Sequence, residues 1–125
     1  MFDWAEYLAL AQELVGQQVP PAGQEAHQRA AISRAYYAAF CKARNRLRDK
    51  EGHQDIPKSA RAHRYVSDPF RNSSDQARNE IGAHLDRLRL DRNKADYDDS
   101  VAGIHGMAAT DLILAAQVLA TLDIL

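Results

Sequence analysis

The chain has 125 residues, with 16 basic and 17 acidic side chains for a net charge of −1, and 46% hydrophobic residues. This is the composition of one ordinary globular domain with enough apolar mass for a core, and it excludes an intrinsically disordered chain. The balanced charge also excludes the broad cationic excess behind non-specific nucleic-acid binding, leaving only local basic faces for that role.

The lone Cys41 cannot form an internal disulfide and reads as a small buried hydrophobe. Met1-Phe2-Asp3-Trp4 leads directly into a helix without a charged-then-apolar leader. The longest apolar run, Leu112–Leu125, is interrupted by Gln117 and Asp123 and is too short for a bilayer. Together these features predict a cytoplasmic protein.

In chain order, the first predicted helix covers Asp3–Gly16, with Asp3 as N-cap and Trp4, Tyr7/Leu8, Ala11 and Leu14/Val15 on one stripe. Pro20-Pro21 predicts a turn over Gln17–Gly23. A long second helix follows from about Gln24 to Glu51, stopped by Gly52. Its stretch Ala30–Arg48 contains no Gly or Pro, and Ile32, Tyr36, Ala39/Phe40, Ala43 and Leu47 recur at steps of three and four. Ser33, Tyr37, Phe40, Cys41 and Arg44 form a second line beside them, so this helix is expected to be central and to touch more than one neighbour.

Pro57 predicts the first turn of a short helix over Lys58–Val66, ended by Asp68-Pro69, with Phe70–Ser74 as loop. Ser73 and Gln76 fit a capping box opening a helix that carries Ala77, Ile81, Leu85 and Leu88 on one face. The polar stretch Asp91–Ser100 breaks that pattern and predicts a turn or frayed end. Asp98, Asp99 and Ser100 then supply the N-cap of a last helix with Val101, Ile104, Ala108, Leu112, Ala115, Leu119 and Leu122 inside. Gly103 and Gly106 in that helix suggest another backbone packed close by. The expected fold is all-α: a four-helix up-and-down bundle with a short extra helix. Surplus apolar surface on the second and last helices predicts a homodimer.

Ser33-Arg34-Ala35-Tyr36-Tyr37-Ala38-Ala39-Phe40, followed by Leu85-Asp86-Arg87-Leu88-Arg89 and Arg92-Asn93-Lys94-Ala95-Asp96-Tyr97-Asp98, resembles the HEPN family over most of the chain. The resemblance implies one HEPN-like helical domain over residues 1–125, usually homodimeric. It also implies frequent pairing with a small nucleotidyltransferase in prokaryotic toxin–antitoxin or defence modules. Many members are metal-independent ribonucleases, in which an Arg, usually followed by a polar residue, precedes a His by four to six positions. Two such motifs meet across the dimer, where His moves the 2′-hydroxyl proton and Arg holds the phosphate.

Here Arg92-Asn93 occupies the motif's place, but Asp96-Tyr97 follows and no His precedes Ser100. The catalytic set implied is Arg92, Asn93, Asp96 and Tyr97, with Tyr97 a candidate for nucleotidylation by the partner. Arg78 and His84 give a second match inside the third long helix, where their spacing turns them to different faces unless the helix breaks at Gly82. Arg34 and Tyr37 are the candidate binding residues. Arg34 either pairs with Asp96 or Asp98, clasping the second helix to the DYD junction, or joins Arg92 in a phosphate-binding pair. Tyr36 is expected in the core with its hydroxyl bonded, and Tyr37 at a groove or a dimer contact.

The basic residues of Lys42–Lys50 and Arg87–Lys94 are interspersed with acids and not with aromatics, so they read as solvated faces without a base-stacking platform. No histidine has metal-ligand spacing, and no Gly-rich phosphate loop or Ser-His-Asp arrangement is present. No cofactor or metal is expected. The missing His favours a binding or regulatory protein for RNA, a nucleotide or the nucleotidyltransferase partner. A ribonuclease centred on Arg92 is the alternative.

Overall fold

A computed structural model describes residues 1–125. The chain is all-helical, with α1 (Ala5–Gly16), α2 (Pro21–Lys50), α3 (Ala62–Arg71), α4 (Gln76–Tyr97) and α5 (Ile104–Ile124). As the periodicity predicts, α2 is the central element: α1, α3, α4 and α5 all pack on it. Ala31, Ala35, Ala38, Ala39 and Ala43 are each wholly buried, so α2 presents short side chains on several sides and its neighbours approach closely. Leu47, Val66, Phe70, Ile81, Leu85 and Leu88 fill the spaces between. Tyr36 and Cys41 lie in the same core, and burial pushes the Cys41 thiol up from its ordinary value.

Several helix ends differ from the sequence expectation, each for a local reason. Trp4 is the N-cap of α1, while Asp3 accepts the Ala5 N–H at 3.0 Å from one residue further out. The second helix starts at Pro21, because a proline in the first turn gives up no intrahelical bond. It stops where Gly52, at φ 76°, lets the His53 N–H turn back onto the Leu47 carbonyl at 3.0 Å.

The short third helix does not start at Pro57; it begins at Ala62 and runs through Pro69 to Arg71. Pro69 gives up its bond to the Tyr65 carbonyl in the turn before it, and the continued turn places Phe70 fully in the core, which offsets that loss. Phe70 is therefore core and not loop. The capping box is also corrected. Asp75 caps α4 by accepting the Ala77 N–H at 3.0 Å, while Ser73 accepts from Asp75 and the Gln76 amide reaches Glu80.

Asp91–Tyr97 is not a turn but the last two turns of α4. Asp91 and Ala95 face inward there, Ala95 against Ile32 and Ala108. Arg29 of α2 donates to the carbonyls of Ala95 at 2.9 Å, Asp98 at 2.6 Å and Asp99 at 3.4 Å, satisfying oxygens the helix leaves open.

The last helix starts at Ile104, after Gly103 at φ 69°, and Asp98–Ser100 do not cap it. A Cβ at Gly103 or Gly106 would meet nothing, so no backbone packs there. The close approach is at Gly82, where a Cβ would stand 2.5 Å from the Arg71 backbone nitrogen. The buried stripe of α5 is Ala108, Asp111, Ala115, Val118 and Leu122, with Leu112 and Leu119 half-buried beside it. Because α5 touches α1, α2 and α4, its apolar arc is broader than one stripe.

Counted from Ile104, α5 is long and apolar enough by length and composition to cross a membrane, with a mean hydropathy of 1.5 over 18 residues. In the structure it lies against its neighbours and carries Asp111 inside. The large apolar side chains left exposed are Met1 and Phe2 before α1, Leu10 and Val15 on α1, Leu90 and Tyr97 on α4, and Ile113 and Ile124 on α5, whereas those of α2 are used within the chain.

Gly82→Ala is expected to lower stability by about 1–3 kcal/mol, because the added methyl forces α3 away from α4. Urea unfolding of the two proteins measures this.

Candidate basic and aromatic groove

The two tyrosines of α2 have different surroundings. Tyr36 is 2% exposed, and its hydroxyl lies 3.0 Å from His63 Nδ1; burial pushes that hydroxyl far above its ordinary pKa. Tyr37 is half-buried at the surface. The Arg34 guanidinium lies 5.0 Å from the Tyr7 ring centre and 5.9 Å from that of Tyr37. Arg92 of α4 lies 5.6 Å from Tyr37 and 5.1 Å from Tyr36. Tyr7, Arg34, Tyr37, Arg92 and Tyr36 thus alternate ring and cation across three helices, each contact contributing about 0.5–2 kcal/mol.

This alternation corrects two sequence expectations. Aromatic and basic groups do interleave, but in space, from α1, α2 and α4, and not along the chain. Arg34 meets no carboxylate; Asp96 instead lies 3.8 Å from Arg92 and accepts from Ser33 at 3.4 Å. The clasp between α2 and the end of α4 is made by Arg29.

Beside the ladder opens a groove of about 730 Å³. Tyr36, Tyr37 and Phe40 form its aromatic side, and the segment from Gln54 to Ala62 forms a wall. Five cations line it, namely Arg44, Arg48, Lys58, Arg89 and Arg92, and no carboxylate does. Arg48 is tied to Asp49 at 2.8 Å and Arg44 to Asn45, while Arg89 and Lys58 have no ion-pair partner. The Arg92 Nε is buried without a hydrogen-bond acceptor. In a chain of net charge −1, this concentrates positive potential in one concavity.

His63, which the sequence did not single out, lines this groove. Its Nε2 lies 3.0 Å from Asp86 Oδ1, and Asp86 also accepts from Ser67 at 2.8 Å and Arg71 at 2.6 Å. Burial first, then Arg89 and Arg92, hold the imidazole below its ordinary pKa, against the pull of Asp86. Burial works to raise the Asp86 carboxyl, but hydrogen bonds from His63 and Ser67 outweigh it and the net direction is downward. The ring is therefore neutral at pH 7.

Of the residues placed in a catalytic set by sequence, only Arg92 lines the groove. Asn93 is half-buried, Asp96 is exposed, and Tyr97 is 74% exposed at the last residue of α4. Arg78 donates both terminal nitrogens to Glu51 at 2.9 and 3.0 Å and stacks 4.6 Å over Phe70, so it ties α4 to the end of α2. The helix is unbroken at Gly82, which keeps Arg78 and His84 on different faces, about 120° apart.

A second titratable cluster lies between α4 and α5. Asp111 is wholly buried with no hydrogen-bond partner for either oxygen as a carboxylate, and Asp91, 2% exposed, is its neighbour. Arg87 pairs with Asp91 at 2.9 Å. Burial, then the Asp91 carboxylate, push the Asp111 carboxyl up to about 8.

Comparison of the chain with protein-family models, curated proteins and solved structures finds no match.

Because folding raises the Asp111 pKa above its ordinary 3.8, the stability it contributes is full in acid and is lost as pH rises towards about 8. Asp111→Asn, which keeps the shape and can donate to Asp91, is expected to flatten this decline and to melt above the parent at pH 8. Thermal melts of both proteins at pH 5 and pH 8 read the difference.

Proposed function

We propose that this chain is a HEPN-like four-helix bundle, α1, α2, α4 and α5 with α3 as the short extra helix. In this reading it acts as the homodimeric binding and regulatory component of a prokaryotic two-gene toxin–antitoxin or defence module. Its ligand carries phosphate, as RNA or a nucleotide, and its protein partner is a small cytoplasmic nucleotidyltransferase. The observation that carries the reading is the groove lined by five cations and no carboxylate, flanked by tyrosine and phenylalanine rings. Guanidinium groups pair with phosphate oxygens, and the half-buried Tyr37 is the ring placed to meet a base. Arg34, outside the groove lining, and Arg92, within it, share the Tyr37 ring, which supports the two arginines acting on one ligand. The exposure of Tyr97 suits modification by the partner.

Two features favour binding over cleavage. Both ring nitrogens of His63 are engaged, and the Tyr36 hydroxyl is held protonated by burial. The alternative, a metal-independent endoribonuclease around Arg92, draws support from His63, which puts an imidazole in the same groove as Arg92 although α4 supplies none there.

Single-stranded RNA oligonucleotides are expected to bind with affinity that falls with salt, and Arg89→Ala with Arg92→Ala to weaken binding at least about tenfold. Fluorescence anisotropy measures this. RNA incubated with the protein in EDTA is expected to stay intact; cleavage abolished by Arg92→Ala and by His63→Ala supports the nuclease instead.

For the homodimer, the trough of Val15, Leu112, Ile113 and Ala116 between α1 and α5 is the apolar surface on offer. Ile113→Glu is expected to convert a dimer to monomer in light scattering, and a parent protein that is monomeric at micromolar concentration removes the dimer.

A further inference from the structure

His63 stands at a junction: together with Pro57, Ala60 and Arg89 it lines both the basic groove and a neighbouring one. Each ring nitrogen has one partner, Tyr36 Oη for Nδ1 and Asp86 Oδ1 for Nε2, both at 3.0 Å. An ionised Asp86 only accepts, so Nε2 carries the ring hydrogen and Nδ1 accepts from the Tyr36 hydroxyl. Tyr36 lines the groove, yet its hydroxyl hydrogen is spent on His63.

The charged and titratable groups facing the imidazole come from every element around it. Asp86, Arg89 and Arg92 stand on α4, and Tyr36 on α2. On α3, Ser67 and Arg71 share the same carboxylate, and Lys58 precedes that helix in the groove wall. Arg61, Arg64 and Asp68 line the neighbouring groove with His63. Around the ring, cations outnumber the carboxylates Asp86 and Asp68, and the ring stays neutral. An anion seated between Arg89 and Arg92 reverses that balance, because it neutralises the two guanidiniums while Asp86 remains.

We propose that binding of a phosphate-bearing anion in the groove draws one proton from solvent onto His63 and turns the Tyr36 hydroxyl towards the anion. This rests on the groove being a phosphate site and adds its regulation. The proton enters at Nδ1. The new Nδ1–H donates to Tyr36 Oη, and the Tyr36 O–H, released from His63, donates to an anion oxygen. At most one proton is gained per anion bound; the one bond formed is Nδ1–H, its proton given up by water or buffer, and the anion itself is unchanged. By linkage, affinity rises as pH falls. His63 is a positioning residue here, acting through Tyr36 and through its own charge.

The test uses the full chain and a labelled hexauridylate, whose phosphodiesters keep their charge throughout the range. Binding is expected to tighten about three- to tenfold between pH 8 and pH 6. Calorimetry in buffers of different ionisation enthalpy is expected to read a mean uptake of about 0.25–0.5 proton over this range. His63→Gln is expected to flatten the pH dependence, and Tyr36→Phe to reduce the gain in acid. Hexauridylate binding by the parent without proton uptake, or a His63→Gln variant that keeps the parent's slope, overturns the proposal and leaves the phosphate groove standing. No binding at any pH overturns the phosphate groove and this proposal with it.

Discussion

The fold depends on the run of small side chains along α2. Five alanines with no exposed surface let helices close in from several directions, and the space that larger residues would occupy on α2 is filled from outside by Phe70, Leu85, Leu88 and Val118. A helix packed this way spends little of its own apolar bulk on the surface. Its longer residues, Tyr36, Tyr37, Phe40, Arg44 and Arg48, are left to define one side of a concavity. The aromatic and basic character of the groove is thus a by-product of how the core is divided between α2 and its neighbours.

Much of this architecture can be read from the sequence, because the strong signals are local. The three-and-four spacing in Ala30–Arg48 marks a central helix, and Tyr36 and Cys41 fall on its buried side. Capping is harder to read, since Asp3, Ser73 and Asp98 are all chemically able to cap and only the path of the chain decides among candidates one to five residues apart. The end of α4 misleads for a related reason. Asp91 looks like a solvent residue until α5 covers it, and Arg29, from 66 to 70 positions earlier in the numbering, supplies the donors that hold the last turn.

The candidate site was less legible, because its members are distant in sequence. Arg92 was visible through its motif. His63 was not, since nothing between Tyr36 and Asp86 signals that an imidazole on α3 will bridge them. The ring-and-cation ladder is invisible in the chain because Tyr7, Tyr37 and Arg92 come from separate helices. Conversely, Arg78 with His84 satisfied a spacing without convergence, since a continuous helix fixes the angle between them.

The missing side chain of Gly82 has a consequence for motion. With the Arg71 backbone resting where a methyl would stand, and Asp86 holding His63, Ser67 and Arg71 at once, α3 is fastened to α4 by main chain and side chains together. Sliding one helix past the other breaks both attachments at the same time. An imidazole carried on so stiff a mount cannot travel to meet a guest; what it has free to change is whether it holds a hydrogen ion.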